Sequence, residues 1–533
     1  MKNKPTTHGG TSNIFIQQHS SDVIGVLEGF DRLRFRGTLR SLYHGSVMEA
    51  YLNSCRVLIK DFGRFAQSWG QQIKTRAQEL ADQHRRPLEY LTSSHWSKEE
   101  LARKIAERDG VKEGLIAVFQ VVEPCQAYRV APNPETKKIE MKIGLRKCSH
   151  FYFYLEHPRF GFMHLRVQSW FPFSVSLCLN GRHWLGRQLD QAGVAYQKKK
   201  NVILRVEDWK RAQSLLDEQT KTDWGEEFKT ILNLVHPLHK KICRPLNLEY
   251  YWSASDTEYA TDVVFKNESS LGALYPRLVQ HALSSFSSPD VMRFLGRPVT
   301  LEQGKVHGKF QGEIISDSKR RAEGMRVKHS LNGNSIKFYD KAGSVLRVET
   351  TIVQPKEFKV FRKAEGKNKR GKSWRILRKG VADMKRRRDI SSKANERYLT
   401  ALASTQGSIP LIQAVQVCCR RKKHEGRAYR ALNPLGPEDG RLMELINQGE
   451  FTISGFRNRD IRALYFTGRA DERETRRRMG WIGRRLRLLR AHGLIRKVQG
   501  THRYQITASG RTIVTALLTA RKANVEQLTK IAA

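Results

Sequence analysis

The sequence predicts an α+β protein of several domains, and three observations carry that prediction. The chain has 533 residues, 39% of them hydrophobic, enough for roughly three or four packed cores. Alternating apolar runs, as in 139–178, are interleaved with stretches of helical period, as in 97–110. Between about Phe361 and Gly436 that periodicity gives way to dense Lys and Arg, setting the body apart from a last segment patterned for helices.

Residues 1–12 are polar and Gly/Thr-rich, which predicts a flexible tail. The run DVIGVLEGFDRLRFRGTL from Asp22 reads as a short apolar strand, a turn, and then Leu33 and Phe35 alternating with Arg34 and Arg36. A helical stretch follows from about Val47 to His84. The segment SKEELARKIAERDG, Ser97–Gly110, predicts a second helix with a Ser N-cap, a capping-box Glu three residues on, and a terminal Gly. Strands are expected at 114–123 and 139–178, where HFYFYLEH and FMHLRVQSW flank a turn at Pro158–Gly161, and helix and strand alternate again over 181–215. The resulting division is a tail (1–12), a mainly helical N-terminal region (13–130), an α+β domain (131–250), and a second α+β domain ending in a β-meander (251–360). A basic connector (361–435) and a terminal domain (436–533) complete it. No repeat of roughly 20–50 residues is visible.

Charge limits the partners. Ninety-six Lys and Arg face 52 Asp and Glu, a formal net charge of +44. A folded surface with that surplus repels itself unless a polyanion neutralises it, and counterion release from nucleic acid is the usual compensation. DNA is the expected partner and structured RNA the alternative. A membrane is not expected, because no stretch of about 18 apolar residues and no signal-like N-terminus is present. The seven cysteines include no CxxC pair, which argues against a zinc ribbon or a disulfide framework and suits a reducing cytoplasm. With DNA as the expected partner, the expected setting is cytoplasmic and nucleoid-associated. The adjacent Cys418 and Cys419 read either as metal ligands or as one buried and one incidental thiol.

In the terminal domain, Gly440–Gly449 predicts a short helix, Phe451–Gly455 an extended piece, Phe456–Phe466 a second helix and Asp471–His492 a long third one. Two strands around Gln499–Gly500 and a last helix from Ala508 follow. Three helices and then a basic hairpin is the winged-helix order. The run LRLLRAHGLIRKVQGTHRYQITASGR resembles the recognition helix and wing of MarR-type winged-helix proteins, and the resemblance, confined to this domain, implies DNA binding. At 100° per residue, Ile482, Leu486 and Leu489 share the side that must face a core. Arg473, Arg476, Arg477, Gly480, Arg484 and Arg487 lie opposite. Such a stripe is often only a solvated face, but most of this one lacks the acidic neighbours a solvated helix would carry. Arg496, Lys497, His502 and Arg503 in the wing are candidate phosphate or groove contacts.

A second constellation spans Met325–Ile352. Asn332–Gly333 is a strong two-residue hairpin signal and pairs Ser330 with Ser335 and Val327 with Phe338. One face then carries Val327, His329, Ile336 and Phe338, the other Arg326, Lys328, Lys337, Tyr339 and Lys341. Matching Leu346 and Val348 to the apolar face puts Arg347 and Glu349 on the face of Tyr339. A tyrosine among five cations, with one carboxylate nearby, suits metal-dependent DNA nicking: cations stabilise the phenolate and phosphate charge, and Glu349 can hold Mg2+ or Mn2+. YDK followed by LRVE resembles a signature of plasmid and phage rolling-circle replication initiators. Those proteins usually add two histidines separated by one hydrophobic residue, and this chain has none. The other reading of the same face is a basic sheet that grips phosphate while Tyr339 stacks. Glu28 and Asp31 are weaker candidates, as nuclease carboxylates or a turn. The aromatic strands Phe151–Tyr154 and Trp170–Phe173 read as a stacking platform or as core. The function expected from all this is that of a mobile-element or replicon protein that recognises DNA and processes or remodels it, as a replication initiator or transposase would. The alternative is a non-enzymatic ribonucleoprotein component or regulator.

Overall fold

In a computed structural model, the protein is described over residues 13–297, 301–302, 305–306, 314–321, 324–363, 371–403, 411–448, 451, 455–468, 470–499 and 501–522. The tail 1–12, residues 452–454 of the expected extended piece, Gly449, Gly500 and residues 364–370 of the basic connector lie outside these. Contacts divide the chain into two units that alternate along the sequence. Unit I takes Met1–Ile24, Phe265–Val348 and Lys393–Ala533, and unit II takes Gly25–Val264 and Glu349–Ser392. The sequence predicts consecutive domains instead, because alternation reveals a strand but not which strand it pairs with.

The strands are β1 (Val23–Thr38), β2 (Leu88–Leu91), β3 (Gly114–Pro132), β4 (Ile139–His157), β5 (Gly161–Gln168), β6 (Val175–Asn180), β7 (Tyr196–Lys199), β8 (Val202–Val206) and β9 (Tyr251–Phe265). After them come β10 (Leu301–Glu302), β11 (Lys305–Val306), β12 (Ile314–Arg321), β13 (Gly324–Leu331), β14 (Asn334–Lys341), β15 (Val345–Ile352), β16 (Lys359–Lys363) and β17 (Lys372–Ile376). In unit II the sheet order is β15, β9, β1, β6, β5, β4, β3, β2. Pairing is antiparallel from β1 through β6, β5 and β4 to β3, and parallel between β3 and β2.

The region 13–130, expected to be mainly helical, thus contains two long strands beside its helices. β1 runs unbroken for 16 residues where the sequence suggests a turn, so Glu28 and Asp31 sit mid-strand. Its glycines mimic a turn signal for a packing reason: a Cβ on Gly29 would lie 2.5 Å from Leu216 Cγ on the helix Trp209–Asp217. The helix Lys98–Arg108 is capped as expected, with Ser97 Oγ accepting from the Glu100 N–H at 3.3 Å.

The second half of β4, His150–Leu155, is buried on both faces. Phe151, Phe153 and Leu155 join the main aromatic core with Phe35, Phe171, Phe173, Trp184, Trp224 and Phe228, while Tyr152 and Tyr154 pack with Ala102 and Ile105 in a second layer. Phe151–Tyr154 lies on β4, but Trp170–Phe173, expected as a strand, is the turn between β5 and β6; both segments pack into the core and form no stacking platform. Burial of this apolar area, at roughly 25 cal/mol per Å², is the main favourable term in unit II.

In unit I, β12, β13 and β14 form an antiparallel meander. Further along, helices Pro437–Ile446, Asn458–Tyr465, Glu472–Ala491 and Ala508–Lys522 surround a three-stranded sheet in which Arg503–Ile506 lies between Phe456–Arg457 and Ile495–Lys497. Their core includes Cys418 and Leu432 beside Leu442, Ile461, Ile482, Leu486 and Leu518. The expected boundary at 435/436 is corrected by this: the end of the connector packs into the terminal core, an anchor that its dense charge conceals. Cys418 is buried and Cys419 exposed. Among the described residues no helix is long and apolar enough to cross a membrane.

Candidate nucleic-acid interface and carboxylate cluster

The helix Glu472–Ala491 begins at Asp471, whose side chain accepts from the Glu474 N–H at 2.7 Å. Ile482, Leu486 and Leu489 are buried, as the angular reading requires, and Arg473, Arg476, Arg477, Arg484 and Arg487 are exposed, as is Gly480. Part of the stripe has acidic partners after all: Arg476 pairs with Glu472, and Arg477 with Glu474 at 3.4 Å. The angular reading misses both because the glutamates belong to the first turn. Among the described residues, no ion pair engages Arg473, Arg484 or Arg487. In the following hairpin Lys497 and His502 are exposed, and exposed Arg496 donates to Gln505 at 3.2 Å. Arg503 differs from these: it is half-buried and donates to the Gly455 carbonyl at 3.2 Å, which makes it a strut of the sheet.

The β13–β14 hairpin forms in the expected register, Ser330 opposite Ser335 and Val327 opposite Phe338. Asn332 and Gly333 both have positive φ, 50° and 80°, as a primed turn requires. Tyr339 is half-buried, with Arg326 across the strand pair and the Lys337 and Lys341 ammoniums 5.9 and 5.8 Å from its ring centroid. Lys328 faces Lys337, so cations line the hairpin on both strands. Arg347 departs from the expectation of an open basic face: it is 0% exposed and so is no surface contact. The neighbouring Asp340 carboxyl is pushed up to about 6 by burial, against the Gly343 N–H that donates to it at 2.9 Å.

Among the described residues no histidine joins a group that could hold a metal ion. His236 is buried, and its ring centroid lies 6.4 Å from that of His239, whose Nε2 meets Asn233 Oδ1 at 3.0 Å. His329 is buried between Ser316 Oγ at 2.7 Å and Tyr398 Oη at 2.8 Å, and burial pushes it down to about 4.

Unit II instead gathers carboxylates. Asp31 on β1, Glu258 on β9 and Glu349 on β15 stand on successive strands, with one oxygen of each within 4.8 Å of the others. Asp31 and Glu349 are buried and Glu258 half-buried. Asp31 is positioned by amides: Asn180 Nδ2 donates at 3.2 Å, and Asn201 Nδ2 at 3.3 and 3.0 Å. Asn180 Oδ1 meanwhile caps the helix Gly181–Gln191, so one residue ties the cluster to a helix start. Arg32 Nη2 holds Glu258 at 2.9 Å and its Nε lies 3.6 Å from Asp256. Glu28 is not in the cluster; Thr261 and Ser392 each donate to it at 3.1 Å.

Three carboxylates this close repel one another, and a hard divalent cation with oxygen ligands relieves that repulsion. Of the three, the sequence reading names Glu349 as a metal ligand and Asp31 as a lesser carboxylate, and it misses Glu258. The signal for Glu258 was the polar alternation of SASDTEYATD, but nothing in it says that β9 lies between β1 and β15. No protein-family model, no curated protein and no solved structure matches the chain.

Proposed function

We propose that this is a DNA-binding and DNA-processing protein of a replicon or mobile element, whose terminal helices and basic hairpin act as a winged helix. The observation that carries the reading is the face of the helix Glu472–Ala491. It exposes Arg473, Arg484 and Arg487 without ion-pair partners among the described residues, directly opposite the buried Ile482, Leu486 and Leu489. Exposed guanidiniums free of ion pairs among the described residues, on one face of a helix that leads into a cationic hairpin, match what a phosphate backbone and a groove offer. Structured RNA would present similar phosphates, so duplex DNA and a structured RNA of equal length belong in the same assay.

Metal binding for processing is assigned to unit II, whereas Tyr339 belongs to unit I. Asp31, Glu258 and Glu349 are the residues that would hold Mg2+ or Mn2+, and a bound ion would supply Lewis-acid stabilisation of phosphate charge. Asn180, Asn201 and Arg32 orient the carboxylates. Tyr339, with its three neighbouring cations, serves either as a nucleophile or as a stacking and phosphate-gripping ring. One experiment separates these roles: end-labelled single-stranded DNA incubated with Mn2+ and wild type, Tyr339→Phe or Glu349→Gln. The expected result is metal-dependent cleavage that Glu349→Gln lowers by about 100-fold or more. A covalent protein–DNA adduct that Tyr339→Phe abolishes would identify the nucleophile; cleavage unchanged in Tyr339→Phe would leave it a gripping residue. Absence of cleavage by the wild type would overturn the processing assignment.

A further inference from the structure

The connector holds a hairpin that the DNA-binding reading does not use. β16 and β17 pair antiparallel, with Lys359 opposite Ile376, Phe361 opposite Trp374 and Lys363 opposite Lys372. Those six side chains are the exposed ones, while Val360 is buried on the other face with Ile352, Phe358 and Leu377. The hairpin is therefore anchored on one side and presents an aromatic pair on the other. Trp374 is 70% exposed and Phe361 56%, with ring centroids 5.8 Å apart.

Hydrophobic exposure of that size costs free energy in an isolated chain. The cost is offset when a flat apolar partner covers the rings. A protein or lipid partner would bring aliphatic surface, but Lys359, Lys363 and Lys372 frame the rings on the same face and call for an anion beside each stacked group. A single-stranded nucleic acid repeats that combination, an unpaired base with a phosphate at each step. In duplex DNA the base faces are already stacked and cannot reach the rings.

We infer that the exposed face of β16–β17 is a binding site for single-stranded nucleic acid, with Phe361 and Trp374 stacking on unpaired bases and the three lysines on the flanking phosphates. This rests on the reading of the protein as nucleic-acid-binding and adds a strand preference to it. The site gives a protein that opens or nicks DNA a place to hold the displaced strand.

The test is fluorescence anisotropy of full-length protein with a labelled oligothymidylate of about 20 nucleotides and with a labelled duplex of the same length, comparing wild type, Phe361→Ala/Trp374→Ala and Phe361→Leu/Trp374→Leu. Thermal unfolding of each variant checks that its fold is intact. The expected result is that both double variants lose about tenfold or more in affinity for the single strand and keep wild-type affinity for the duplex. Leucine failing like alanine identifies stacking rather than general apolar contact. Unchanged oligothymidylate binding by the folded variants overturns this inference alone. Wild type binding neither probe overturns the nucleic-acid reading beneath it. A shift in oligomeric state with no change in binding would mean that the face meets protein, which also overturns the inference.

Discussion

Replacing Arg484 and Arg487 together by alanine is expected to cost about 2–6 kcal/mol of duplex binding, at about 1–3 kcal/mol for each base-reading arginine. Both side chains are exposed on the helix Glu472–Ala491, one turn apart, and have no ion-pair partner among the described residues. Their loss therefore leaves no buried charge stranded, and the fold should be unaffected. Arg476 offers an internal control: it shares the helix but is paired with Glu472, so Arg476→Ala should cost less. Equal losses on every duplex sequence would identify phosphate contacts, and losses confined to one sequence would identify base reading. No loss in the double variant would remove the helix from the interface.

A second large effect is expected in the body. Arg182 and Asp262 form an ion pair at 2.9 Å with side chains 0% and 1% exposed. Arg182 also donates to the Ala260 carbonyl at 3.3 Å, a neutral acceptor that cannot balance the charge. Asp262→Ala should therefore destabilise unit II by about 3–5 kcal/mol, the usual cost of leaving a buried charge uncompensated. Replacing both partners with apolar residues, Arg182→Met with Asp262→Leu, should recover most of that loss. Urea unfolding of the three proteins measures it. A loss under about 1 kcal/mol for Asp262→Ala would mean that water reaches the guanidinium.

What the sequence made legible follows from the range of each interaction. The register at Asn332–Gly333 and the buried face of Ile482, Leu486 and Leu489 are local, set by turn geometry and helical period, and both were readable. The carboxylate cluster is not local: residues 31, 258 and 349 meet only because β9 lies between β1 and β15. Alternation carries no information on that order. Arg347 was misread for a related reason, since the rule that charged positions face water fails on a strand whose residues are buried on both sides. The β16–β17 hairpin was hidden by composition. Its lysines merge with the basic connector, and only the pairing of Phe361 with Trp374 separates an aromatic face from a solvated charge run.

The central claim is that the surplus of 44 positive charges serves a nucleic acid, and salt dependence tests it most directly. Full-length protein titrated with duplex DNA across a series of salt concentrations should give a log–log slope of roughly −5 or steeper, shallower by about 1 for each phosphate-contacting arginine removed. A flat response would contradict the account.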